Sequence, residues 1–230
     1  MQTETKSTVF ELNQLIVPPG NKVQLQNVSW EMYSSILDEL GEGYAIRLTY
    51  YKETLEIRMP LPKHERAKSL IGDLVKLLLE ELNIDCEVLG STTFKSKEMQ
   101  SGVEPDDCFY IQHEAAIRGK DRIDLTVDPP PDLAIEIDNS SPTALNSYQA
   151  LKVPELWRYD GRTLKIYVLQ EGKYTESDTS QNFPDFPIID VIPEYVDRAN
   201  TQGRSPTIRA FRAWAKEQLQ IKDSVESAFS

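Results

Sequence analysis

The chain has 230 residues, 40% hydrophobic and 27% charged, with a formal net charge of −12. That length and composition suit a single folded domain over residues 1–230 with a sizeable core, and they exclude a disordered chain. Two cysteines (Cys86, Cys108) and two histidines (His64, His113), with no Cys-x-x-Cys pair, speak against a disulfide scaffold and a tetrahedral zinc site.

Residues 1–27 read as a polar lead-in, with Pro18-Pro19-Gly20 as a turn signal and no basic-then-apolar order of a secretion leader. Ser29 followed by Glu31 predicts a short helix to about Leu40. Residues 45–51 and 54–59 form two strand-like runs that a tight turn at Lys52-Glu53 joins as a hairpin. After Pro60 and Pro62, the apolar residues Ala67, Leu70, Ile71, Leu74, Val75, Leu78 and Leu82 recur at helical spacing. Lys76 interrupts this stretch and Glu80-Glu81 closes it, so it is a surface helix and not a membrane span. With no leader and no span, the expected address is the cytoplasm and no membrane partner is expected.

Strands are predicted at 86–89, 108–111 and 133–137, the last a compact apolar run suited to burial on both faces. A short helix near 145–151 leads into 155–159, and Asp160-Gly161 turns the chain back through 164–169. Residues 171–204, rich in Pro, Asp, Ser and Asn, read as irregular. A final helix over about 205–220 is predicted, with Ser205 as N-cap, Pro206 in the first position and an apolar stripe at Ile208, Phe211, Ala215 and Leu219.

Two acidic segments stand out. Glu104-Pro105-Asp106-Asp107 precedes a strand, and turn chemistry alone accounts for it. Glu136 is different, because it lies inside the apolar run Leu133-Ala134-Ile135-Glu136-Ile137. An ionised carboxylate there needs a cation, and a metal ion and an arginine or lysine partner serve equally. Glu65, in the first turn of the long helix, suits the helix dipole, and a helical wheel sets it roughly opposite the apolar stripe. With carboxylates the abundant donors, any metal should be hard and oxygen-loving. Converging carboxylates repel one another, and a bound Mg²⁺ or Mn²⁺ would reverse that while acidifying water. The net charge of −12 works against tight non-specific binding of polyanions, and a bound cation would offset part of it locally.

Taken in order, Met59-Pro60-x-x-x-His64-Glu65, Glu104-Pro105-Asp106, Pro131-Asp132-Leu133-Ala134-Ile135-Glu136 and Val153-Pro154-Glu155-Leu156-Trp157-Arg158-Tyr159-Asp160-Gly161 form a pattern. It resembles the restriction endonuclease-like family common in cyanobacteria, a branch of the PD-(D/E)XK nuclease superfamily. The resemblance covers about residues 30–169. It implies an α/β fold with a restriction endonuclease-like core, a mixed central β-sheet flanked by helices, and a C-terminal extension. It also implies a Mg²⁺- or Mn²⁺-dependent endonuclease that hydrolyses phosphodiester bonds of nucleic acid, DNA being expected. Asp106 and Glu136 would be catalytic metal ligands, the backbone carbonyl of Ile137 a further ligand, and Glu65 an accessory glutamate.

One departure concerns the lysine of that pattern. The position two residues after Glu136 is Asp138. In the related family the lysine moves to a helix, four residues ahead of a tyrosine; aligned on Tyr148, that position is Ala144, while Lys152 falls in a turn. The expected lysine is therefore missing. This keeps open a catalytically impaired nuclease-fold domain that binds nucleic acid or a protein, and a metal-free scaffold in which an arginine such as Arg158 holds Glu136. A homodimer is a further expectation for an enzyme that cuts duplex DNA.

Overall fold

The computed structural model describes residues 15–41, 46–90, 92–137 and 141–228. Its first elements are β1 (Lys22–Leu25), α1 (Trp30–Leu40), β2 (Arg47–Tyr51) and β3 (Thr54–Arg58). The Ser29 hydroxyl caps α1 by accepting from the Met32 backbone N–H at 3.2 Å. Lys52 and Glu53 both sit in the left-handed region, as a tight two-residue hairpin turn requires, and they join β2 to β3. Residue 45, the predicted start of this hairpin, lies outside the described residues.

The long helix α2 (Pro62–Glu81) follows, with Pro62 in its first turn. Next come β4 (Glu87–Val88), β5 (Phe94–Ser96), β6 (Ser101–Val103) and β7 (Asp107–Tyr110). A single-turn helix α3 (Glu114–Ile117) precedes β8 (Leu133–Glu136). Beyond it lie α4 (Pro142–Ala150), β9 (Glu155–Tyr159), β10 (Leu164–Gln170) and β11 (Lys173–Ser177). Two helices close the chain, α5 (Ile188–Gln202) and α6 (Arg204–Ala228).

These strands build two sheets. The first is antiparallel, in the order β1-β3-β2-β6-β5; the second is mixed, in the order β11-β10-β9-β8-β7-β4. Within the second, β8 and β9 run parallel, with α4 as the crossover between them. Alternation along β8 explains the layering. Leu133, Ile135 and Ile137 pack with α2, α5 and α6, whereas Ala134 packs with Tyr148 of α4. Helix α4 is also tied to the first sheet, since the Ser147 hydroxyl donates to the Tyr50 carbonyl at 2.8 Å. It thus lies between the sheets. On the first sheet, α1 lays Tyr33 flat against Tyr50, with ring centroids 4.7 Å apart. The run 133–137 is covered on both faces, as its composition predicts.

Three readings need correction. The lead-in contains a strand, β1, which pairs with β3. Residues 171–204 are not irregular: they hold β11 and the amphipathic α5. Pro193 lies inside α5 and removes one helix hydrogen bond, but burial of Ile188, Val191, Ile192, Tyr195 and Val196 outweighs that loss. The last helix starts at Arg204, ahead of Ser205, and extends to Ala228. Its Phe211 and Ala215 are fully buried, and Phe211 meets Tyr195 edge-on at 5.0 Å.

Close packing of α2 on the second sheet depends on Gly72, because a Cβ there would collide with the carboxylate of Asp107. Glu155 organises the other end of the sheet. Fully buried, it accepts hydrogen bonds from Trp157 Nε1 (2.5 Å), the Ser180 hydroxyl (2.6 Å) and the backbone N–H groups of Gln181 (2.7 Å) and Asn182 (3.1 Å). The glutamate and tryptophan of the Val-Pro-Glu-Leu-Trp segment therefore anchor the loop that leads to α5. Glu155→Gln exchanges one acceptor oxygen for a donor in this nest and is expected to cost about 1–3 kcal/mol in urea unfolding. An unchanged midpoint would contradict the anchoring role.

Candidate active site at the junction of the sheets

The three acidic side chains around Pro105 point to different places, because the chain passes there from one sheet to the other. Glu104 is buried and accepts from the Leu48 N–H and the Thr93 hydroxyl. Asp107 faces α2 at Gly72, and desolvation holds its pKa above the usual carboxylate range. Asp106 alone of the three turns toward β8. Its Oδ2 accepts from the Ile137 N–H at 2.8 Å, which locks it beside Glu136.

Asp106 and Glu136 are 3% and 5% exposed, and they share one cation. Nη2 of Arg58, at the end of β3, lies 2.9 Å from Asp106 Oδ1 and 3.2 Å from Glu136 Oε2. The second oxygen of Glu136, Oε1, accepts from the Tyr148 hydroxyl at 2.5 Å. One guanidinium from the first sheet thus joins two carboxylates, one at the entry to β7 and one on β8. Such a charge-assisted network offsets the cost of taking both carboxylates out of water.

The compensation is incomplete for Glu136. Burial, with Asp106 beside it, pushes its pKa from 4.5 up to about 8, while Arg58, the Tyr148 hydroxyl and Arg158 pull the other way. Burial first, then the carboxylates of Glu136 and Asp106, drive the Tyr148 hydroxyl well above its ordinary range.

The predicted site residues therefore divide. Asp106 and Glu136 meet, and Ile137 joins them through its N–H. Glu65 does not reach the pair: it is about half exposed, 4.0 Å from Arg47 and 3.6 Å from Lys68. Its place on α2 follows the helical wheel. Arg158 stands beside Glu136 in the parallel ladder and adds favourable charge, but its Nη2 donates to the Ser141 carbonyl at 3.2 Å. The guanidinium hydrogen-bonded to Glu136 is that of Arg58, which the sequence reading did not single out. Its only sequence signal is a charged residue closing the strand run Leu55-Glu56-Ile57 ahead of Met59-Pro60. Ala144 is buried on α4 and brings no charge, and Asp138 lies outside the described residues. Among the described residues, no group of three or more His, Cys, Asp or Glu side chains is arranged to hold a metal.

Between pH 4.5 and about 8 the native state holds a proton on Glu136 that an unfolded glutamate releases. The stability linked to that proton is full below the ordinary carboxylate pKa and is lost as pH rises through about 8. Glu136→Gln does not ionise, so its melting temperature relative to wild type should climb by several degrees between about pH 5 and about pH 9. A difference that stays constant with pH would contradict this reading.

The match to a family model agrees with the restriction endonuclease-like resemblance. A crystal structure described as "a putative nuclease belonging to DUF820 from Anabaena variabilis ATCC 29413" is similar, with a TM-score of 0.45 and 17% identity over 64% of this chain and 90% of that one. No curated protein matches the chain. No helix among the described residues is long and apolar enough to cross a membrane. The Uma2 family model, described as "Putative restriction endonuclease", matches residues 30–200. That match takes in every described strand except β1, together with the carboxylate pair and Arg58, and by it the chain belongs to this restriction endonuclease-like family.

Proposed function

We propose that this protein hydrolyses phosphodiester bonds of nucleic acid, DNA in the first instance, with Mg²⁺ or Mn²⁺ at the Asp106–Glu136 pair. The observation that carries this reading is the convergence of two buried carboxylates, distant in sequence, on a single cationic nitrogen. Hard oxygen donors that already face positive charge fit a hard divalent ion. Asp106, Glu136 and the backbone carbonyl of Ile137 would hold it. Such an ion supplies Lewis-acid charge to a phosphate and acidifies coordinated water.

The protein's own groups do the rest. The Tyr148 hydroxyl and the Ile137 N–H fix the orientation of the two carboxylates. Arg58 supplies a positive charge next to them, in the role that the missing lysine would take, and stabilises charge building on phosphate oxygens. Glu65 stands half exposed at the start of α2, and any part it takes comes from the solvent side of the site.

A second reading, binding without cutting, is favoured by the same arginine. It already satisfies one oxygen of each carboxylate, and no ion pair joins either carboxylate to a lysine among the described residues.

Cleavage of supercoiled plasmid and single-stranded DNA with Mg²⁺, Mn²⁺ or EDTA separates the two. The expected result is metal-dependent cutting that falls about a hundredfold or more in Asp106→Asn and Glu136→Gln, each purified as the wild type is. Full activity in Asp106→Asn sinks the assignment. No cutting by wild type, with Mn²⁺ still raising the melting temperature, shifts the function to binding. Arg58→Ala should lower the melting temperature in EDTA and regain more of it with Mn²⁺ than wild type gains, since the ion then replaces the lost cation. An equal gain in both proteins would contradict Arg58 as the standing cation of the site.

A further inference from the structure

A cleft of about 910 Å³ opens between the first turns of α2, the β9–β10 turn and the junction of α5 with α6; neither Asp106 nor Glu136 lines it. Ile137 lines it, and the N–H of that residue donates to Asp106, so the cleft wall and the pair share one stretch of backbone. Lys63 and Arg66 from α2, Arg162 from the β9–β10 turn and Arg204 from α6 also line it, against the carboxylates of Glu65 and Asp160 among the described residues. In a chain of net charge −12 this is a local reversal of sign, assembled from three separate parts of the sequence.

All four basic side chains are exposed. Arg204 is paired with Asp73, whereas no ion pair joins Lys63, Arg66 or Arg162 to another described residue. Three solvated cations around a concave site on an acidic protein suit a polyanion that brings its own charges into the cleft.

Size and depth then select the form of that polyanion. The volume is at the upper end of small-molecule sites, about 300–1,000 Å³, which admits a few nucleotides and not a turn of duplex. Asp106 and Glu136 are at most 5% exposed, below the reach of a backbone lying on the surface. Resting on the phosphodiesterase reading above, we infer that the cleft takes a single nucleic-acid strand, frayed or unpaired, with Lys63, Arg66 and Arg162 gripping its phosphates and Ile137 as the floor that leads to Asp106 and Glu136.

The test is fluorescence anisotropy in EDTA, where the metal-dependent reading predicts no cutting, with a labelled oligonucleotide of about 12 nucleotides offered single-stranded or as its duplex. Wild type should bind the single strand about tenfold or more tighter than the duplex. The triple variant Lys63→Gln/Arg66→Gln/Arg162→Gln should lose about tenfold or more of that affinity, with the slope of log K against log salt shallower by about 2. Its melting temperature should match wild type, because all three residues are exposed. Lys97→Gln/Lys173→Gln, outside the cleft, should bind as wild type does.

Equal or tighter binding of duplex, an unaffected triple variant, or no binding by wild type would each overturn the inference. Failure here and failure of the nuclease reading are distinguishable. Strand binding lost in the triple variant, with no cutting in any metal, sinks the nuclease reading alone. Metal-dependent cutting with binding indifferent to the triple variant sinks the cleft alone.

Discussion

Everything about the site depends on the guanidinium of Arg58 between Asp106 and Glu136. Without a cation, two carboxylates buried side by side would repel each other at full strength in a poorly screened setting. With it, one positive charge serves both and ties the end of β3 in the first sheet to β8 and the entry of β7 in the second. The contact is at once a weld between layers and a record of where a cation belongs. Breaking one partner of such a buried group costs more than the bond is worth, because the remaining charge is stranded.

Simple strand geometry delivers the two carboxylates to that point. In β8 the alternation that sends Ile135 and Ile137 toward the helical layer sends Glu136 to the side of α4, where Tyr148 waits. At the β6–β7 passage, consecutive residues again go opposite ways: Asp107 under α2 and Asp106 toward β8. The family motif therefore mixes duties. Asp106 and Glu136 face the cation, whereas Asp132 accepts from the N–H groups of Ile111 and His113, and Glu155 holds a loop. Identical side chains a few residues apart differ in role because the backbone turns them to different layers.

Much of this was legible in the sequence wherever periodicity carried it. The apolar spacing of α2, the compact run of β8, the Lys52-Glu53 hairpin and the Asp160-Gly161 turn follow from local chemistry, and Glu136 stood out as a charge in an apolar strand. What stayed hidden depends on partners. β5 and β6 are three-residue strands with polar or glycine centres, made strands by pairing with β2 and each other; Gly102 is needed there because Tyr33 packs against it. Pro193 and a polar surround concealed α5. Arg58 was invisible for a similar reason, since nothing in Leu55-Glu56-Ile57-Arg58 says that two carboxylates, 48 and 78 residues further on, will close on it. A sequence reading looks for the cation near the acid, and so Arg158 looked the natural partner.

Net charge misled in the same way. A total of −12 describes the whole surface, whereas the cleft next to Ile137 gathers lysine and arginine from α2, the β9–β10 turn and α6. The measurement that bears most directly on the account is anomalous diffraction from crystals grown with Mn²⁺. One manganese peak is expected, bound by Asp106 and Glu136, with the Arg58 guanidinium displaced from at least one of them. Saturating Mn²⁺ that leaves no peak there, and Arg58 still bridging both carboxylates, would contradict it and leave a nuclease fold whose cation is its own arginine.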